Sequence, residues 1–278
     1  MITARHSILL VLLIAPLLPG QSATTPNTDN LYHWAYGAAF GTGAYKVGGD
    51  RIYTLRVMPS CELATWEHRH ATLNLNLPVS MGVQDLNLNG IRTTRVDKVL
   101  QTISCVPGLD LVWYPYQQWR LKPFAHLGWG TEMGGSESAR IYFAGINSRY
   151  TFVFNAFNMD LLNGAHWMGY YPNHSSSDRL SRLITGLEWE IPMRHITIAQ
   201  QPALLRPHVA HFWYVDNLGF AQIEQSPVEL KQEFEIGLAV GTKDRISLGF
   251  FKFDRIGLAY RVSDTIEGVR LYFGSIMD

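Results

Sequence analysis

A period of two limits what this chain can fold into more than any other feature. In LNLNLPVSMGV, Leu73, Leu75, Leu77, Val79, Met81 and Val83 share one face, and Thr72, Asn74, Asn76, Ser80 and Gly82 take the other. Successive side chains of an extended strand point to opposite sides, so this spacing predicts a strand and not a helix. The alternation returns in WRLKPFAHLGWG, with Trp119, Leu121, Ala125, Leu127 and Trp129 opposite Arg120, Lys122, His126, Gly128 and Gly130. LKQEFEIGLAVG sets Leu230, Gln232, Phe234, Ile236, Leu238 and Val240 against Lys231, Glu233, Glu235, Gly237, Ala239 and Gly241, and GVRLYFG repeats the pattern in short form. An all-β fold follows.

Alternation suits a soluble sandwich as well as a membrane barrel, since both bury one face of each strand. Two observations favour the barrel. Charged residues make up 17% of the chain and hydrophobic ones 47%, yet beyond the N-terminus no apolar run is long enough for a membrane-spanning helix. Barrel strands hide their hydrophobicity from a window average in this way. Trp and Tyr also gather near the ends of the strand-like runs, at Trp34, Tyr36, Trp113, Trp119, Trp129, Trp189 and Trp213. These form a candidate aromatic girdle at the two lipid–water boundaries. The formal net charge of +0 gives no electrostatic reason to invoke nucleic acid as a partner.

Arg5 and His6, the apolar run Ile8 to Leu18, and Pro19, Gly20, Gln21, Ser22 and Ala23 have the three-part form of a secretory signal peptide. The expected organisation is a leader over 1–23 cut after Ser22 or Ala23, a short segment over 24–32, and one barrel domain over 33–278. Some 255 residues, by rough count, are left for it.

The pattern predicts strands over 33–47, 51–62, 69–83, 98–116, 119–131, 138–147, 149–160, 180–192, 203–215, 229–241, 245–262 and 266–275. That is an antiparallel transmembrane β-barrel of about twelve strands, with ten and fourteen as the adjacent even counts. With the N-terminus in the periplasm, turns are expected around Gln117, Ser148 and Lys243 and longer ones near Thr65 and Ala199. Outer loops are expected at 84–97, 132–137, 161–179 and 216–228. Pro78, Pro107 and Pro123 sit inside strand-like runs, where each removes a ladder hydrogen bond, so bulges or shorter strands are expected there. A turn hidden at Asp254 would split the long run 245–262.

FDRIGLAYRVSD and GVRLYFGS, together with CVPGLDLVWYPY, RLKPFAHLGWG, SARIYFAGINSRY and TGLEWEIP, resemble the solitary outer-membrane autotransporter-like β-barrel family. The resemblance implies a translocator-type barrel without a passenger, located in the cell outer membrane, in contact with its lipid and inserted by the barrel assembly machinery. Such barrels usually end on an aromatic residue, whereas this chain runs past Phe273 into Gly274, Ser275, Ile276, Met277 and Asp278.

Glu188, Glu190, Lys231, Glu233, Glu235, Arg255, Arg261 and Arg270 fall on the face assigned to the lumen. They either form a charged constriction that selects an unnamed solute or pair across strands and fill a narrow interior. Near balance of sign favours pairing, because an unpaired buried charge is costly.

His174 and Ser176 make an H-x-S element similar to that of outer-membrane phospholipases and lipid A deacylases, with histidine as base and serine as nucleophile. Ser177 replaces the Asn that closes the motif there, and a run of serines reads first as a solvated loop, so no catalytic residue is assigned. Cys61 and Cys105 fall on strands separated by a third. Strand spacing then puts them roughly 9–10 Å apart at closest, beyond the ~7 Å that a disulfide spans, so two separate thiols are expected. His68 and His70 lack companions at ligand spacing, and neither a metal nor another cofactor is called for. The sequence thus predicts a narrow pore or a structural membrane protein, with a lipid hydrolase as the alternative.

Overall fold

The structure is a computed structural model that describes residues 41–47, 50–85, 99–133, 138–173, 177–220, 228–248 and 251–277. The expected leader and the 24–32 segment, Trp34, Tyr36, His174 and Ser176 lie outside the described residues. The strand segments are β1 (Gly43–Val47), β2 (Asp50–Val57), β3 (Ser60–Trp66), β4 (Ala71–Asn76), β5 (Val79–Asp85), β6 (Val99–Cys105), β7 (Gly108–Tyr116) and β8 (Trp119–Glu132). They continue with β9 (Ser138–Val153), β10 (Asn158–Pro172), β11 (Asp178–Ile198), β12 (Gln201–Phe220), β13 (Val228–Leu248), β14 (Phe251–Val262) and β15 (Ile266–Phe273). Among the described residues the one helical piece is a 3-10 turn, Glu67–Arg69.

The segments close into a ring. From β15 each strand pairs with its predecessor down to β8, β8 pairs with β6, and the sheet runs on through β5, β2 and β1 back to β15, every pairing antiparallel. β3, β4 and β7 continue β2, β5 and β6, so the fifteen segments make twelve barrel strands.

The three interruptions have one cause. Leu77 N donates to Pro59 O at 2.9 Å, Val106 N to Pro78 O at 3.0 Å and Leu127 N to Pro107 O at 2.9 Å. Each proline still accepts from its cross-strand partner but has no N–H to give back. The register is unchanged across each break: Val79↔Cys105 and Asn76↔Gly108 belong to one ladder. The three prolines thus lie side by side and draw a seam of missing hydrogen bonds across four strands. Pro123 acts more mildly. β8 runs unbroken through it, but β7–β8 pairing lapses between Asp110↔Phe124 and Trp113↔Leu121, the stretch that holds Pro123.

Several expected boundaries are corrected. No turn falls at Ser148, and 161–172 is strand rather than loop: β9 continues to Val153 and β10 spans Asn158–Pro172. The polar run at 147–149 reads as a turn because its partners are distant in sequence. Asn147 meets His166, Trp119 Nε1 donates to Ser148 Oγ at 2.9 Å, and Arg149 meets Asp160 and Glu188. In β10 the inward residues Leu162 and Met168 are as apolar as the outward ones, which erases the alternation. β13 passes through Lys243 to Leu248 and β14 starts at Phe251, so the chain turns neither at Lys243 nor at Asp254.

Both faces of the wall carry apolar side chains. On β13 and β14, Phe234, Ile236, Leu238, Ile256, Leu258 and Tyr260 point outward, while Glu233, Glu235, Ala239, Arg255, Ala259 and Arg261 are buried inside. The charged lumen face expected from the sequence lines only part of the bore. A buried apolar core that includes Ile52, Phe124, Phe143, Leu162, Met168, Leu180, Ile184, Phe212, Leu230 and Ile266 fills much of the rest.

Candidate functional site

The densest arrangement of polar side chains lies inside the barrel, and the register builds it. Glu235 and Arg261 are direct partners in the β13–β14 ladder, and Arg270 reaches in from β15. Arg261 Nε donates to Glu235 Oε2 at 2.5 Å, and Arg270 Nη2 to Glu235 Oε1 at 2.8 Å. Glu233 accepts from Arg261 Nη1 at 3.1 Å and from the Tyr214 hydroxyl at 2.6 Å. The Arg261 guanidinium also lies over the Phe212 ring, 4.3 Å from its centroid, where the π-face attracts a cation. His208 stands between Glu235 Oε1 at 3.0 Å and the Tyr272 hydroxyl at 3.1 Å. At Gly237 a Cβ would collide with the His208 ring, so glycine makes the room for it.

A second cluster sits nearer the tight-turn end. Arg255 and Arg149 both reach Glu188, the latter at 3.3 Å, and Arg149 Nε is 3.0 Å from Asp160. Arg206 bridges Glu190 at 2.8 Å and Asp254 at 3.0 Å, and Arg255 Nη2 closes the group at 2.8 Å from Asp254. A third and smaller set joins Asp110 of β7 to His126 at 2.7 Å and Lys122 at 3.5 Å.

The eight charged residues expected in the lumen are thus placed as follows. Glu188, Glu233, Glu235, Arg255, Arg261 and Arg270 are buried inside, and Glu190 is half-buried and paired with Arg206. Lys231 shares the inward face of Glu233 but is exposed. Sequence reasoning passed over Asp110, Lys122, His126, Arg149, Asp160, Arg206, His208 and Asp254. Lys122 and His126 carried a usable signal, being in phase on the polar face of WRLKPFAHLGWG. Arg149 and Asp160 carried none, since Arg149 lay against an expected turn at Ser148 and Asp160 against an expected loop from 161, where the chain is strand in both places.

One hydrogen-bonded line runs along the wall from β11 through β10 to β9 and ends on the C-terminal segment. Arg182 Nε donates to His166 Nδ1 at 3.1 Å, so His166 Nε2 carries its proton and donates to Asn147 Oδ1 at 2.7 Å. That leaves Asn147 Nδ2 to donate to the carbonyl of Met277 at 3.5 Å. Met277 is there because the chain does not leave the barrel after Phe273. Gly274, with φ of 94°, turns it inward, a conformation glycine adopts without a steric cost.

Outside, Trp113 and Trp129 are exposed near strand ends and Trp213 is exposed within β12, while Trp119 and Trp189 are half-covered. Trp66, Tyr116 and Tyr171 are exposed as well. Cys61 and Cys105 are free thiols exposed on barrel strands with one strand between them. Among the described residues no group of His, Cys, Asp and Glu is arranged to hold a metal ion.

No protein-family model matches the sequence, and neither does any curated protein. Solved structures do match. The translocator domain of the autotransporter NalP from Neisseria meningitidis superposes with a TM-score of 0.60 at 10% identity, over 82% of this chain and 81% of that one. The β domain of the Bordetella autotransporter BrkA gives 0.51 at 9% identity, over 84% and 93%. At such identities the likeness is one of fold. The autotransporter-like resemblance read from the sequence holds at that level: this is a closed twelve-strand barrel similar in fold to translocator domains.

Proposed function

We propose that this chain is a structural barrel of the outer membrane whose bore is closed at rest, and not an open pore. One observation carries the reading. Arg261, Glu233, Glu235 and His208 are each at most 2% exposed, and their charged groups answer one another. A water-filled channel would leave such groups wet, whereas here they replace solvent for each other across neighbouring strands. The outward row of Phe234, Ile236, Leu238, Ile256 and Leu258 is the surface that lipid would cover, and Trp113, Trp129 and Trp213 would sit at its boundaries. On this reading the membrane lipid is the permanent partner, and the barrel assembly machinery the transient one. The fold carries over from translocator domains. Whether a passenger is attached is a separate property.

Conductance in a planar bilayer tests the reading. Refolded protein is expected to be electrically silent, and discrete ohmic openings of the unmodified chain would overturn it.

A further inference from the structure

From the path of the chain after β15 we infer that Gly274–Met277 is an internal strap that stops the bore. This rests on the closed-barrel reading and goes beyond it by naming what does the closing. In the twelve-strand ring β9 is six strands from β15 by either route, so the two walls face each other across the full width. The segment leaves β15 at Gly274, whose N–H donates to Arg255 O at 3.2 Å, and Met277 meets Asn147 of β9. A short piece of chain therefore bridges opposite walls.

Its anchoring is of a kind that holds a backbone in place. Arg270 Nη2 donates to Ile276 O at 3.0 Å and Asn147 Nδ2 to Met277 O, while within the segment Met277 N donates to Ser275 Oγ at 3.3 Å. Arg270 holds Glu235 with the same nitrogen, which ties the strap to the central ion cluster. Ile276 is 1% exposed, and both it and Met277 belong to the apolar core inside the barrel. The wall side chains narrow the bore, and the strap occludes what they leave. An apolar pair of residues beside the charged clusters does this well, because neither water nor an ion gains a partner there.

Two arms test it, and they separate this inference from the reading beneath it. The first concerns position. In a Cys61→Ser, Cys105→Ser background, Ile276→Cys is expected to resist a water-soluble maleimide in the folded barrel and to react after heat unfolding. Labelling in the folded state would overturn the strap whatever the conductance. The second concerns blocking. Gly274→Val forbids the inward turn, and Ile276→Glu drives the segment out of its apolar setting. For either variant, checked as folded by its heat-dependent gel mobility, at least a tenfold rise in channel activity over the unmodified chain is expected. If the folded variants stay as silent as the parent, side chains alone close the bore and the strap does not. If the parent itself conducts freely while position 276 is protected, the strap is in place but blocks nothing, and the inference fails together with the closed-barrel reading.

Discussion

Glu235 and Arg261 face each other directly across the β13–β14 ladder, buried, with Nε 2.5 Å from Oε2. Because Arg270 and His208 lean on the same carboxylate, removing it strands several donors at once. Glu235→Ala is therefore expected to lower unfolding stability by about 3–5 kcal/mol, the range for breaking a buried pair. The same change in an Arg261→Ala or Arg270→Ala background should cost less, with a coupling of roughly 0.5–3 kcal/mol. Denaturant midpoints of the refolded barrel measure this, and additive effects would mean that the charges act independently.

The location can be read without any functional assay. With an apolar row on the outer wall and aromatics near the strand ends, the mature chain should fractionate with outer membranes and migrate faster on gels before boiling than after. Recovery from the periplasm without detergent would count against the barrel's membrane role.

The proline seam predicts a line of local weakness. Each of the three pairs has one of its two hydrogen bonds, and a missing bond is worth about 0.5–1.5 kcal/mol, or roughly two- to tenfold in exchange. The amides of Leu77, Val106 and Leu127 should exchange faster by that factor than those of Gly164 and Val209, which lie in continuous ladders. Hydrogen exchange in lipid nanodiscs resolves the difference, and equal protection would show that the neighbouring strands make up the loss.

A hydrolase built on His174 and Ser176 is expected not to exist. Those residues fall between Pro172 at the end of β10 and Asp178 at the start of β11, in a run of polar residues without an evident third group to orient the imidazole. Purified protein with calcium should release no fatty acid from phospholipid or lipid A. Release that disappears in Ser176→Ala while the barrel remains folded would establish the enzyme.

Much of the barrel was legible because one face of most strands is apolar and the other is not: the strand count, the antiparallel order and the inward face of β13 and β14 all follow from alternation. It failed where that contrast disappears. β10 puts Leu162 and Met168 inside, so LLNGAHWMGYYP shows no period, and the polar run Asn147, Ser148 and Arg149 imitates a turn while its side chains serve partners on other strands. Among the site residues, those in phase with a clear strand, such as Glu233 and Arg261, could be placed on the lumen face from sequence. Their partners Arg206, His208 and Tyr214 depend on which strands are neighbours and at what register, which no single strand encodes. The strap was legible only as an anomaly, since residues after a terminal aromatic have no periodic signal to follow.

Among the described residues, the pairing of β1 with β15 rests on a short ladder, Gly43↔Arg270 to Val47↔Ile266, between residues more than two hundred positions apart. Every other neighbour pair in the ring is joined by a far shorter stretch of chain. Joining the two ends has the largest loop-closure entropy to overcome, and among the described residues no more rungs to reward it than the local β1–β2 pair, so it belongs at the end of folding. Until then the nascent sheet is open, with two unsatisfied edges that invite pairing with any other extended chain. The rate at which this barrel matures is therefore governed by whatever holds those two edges together long enough to meet.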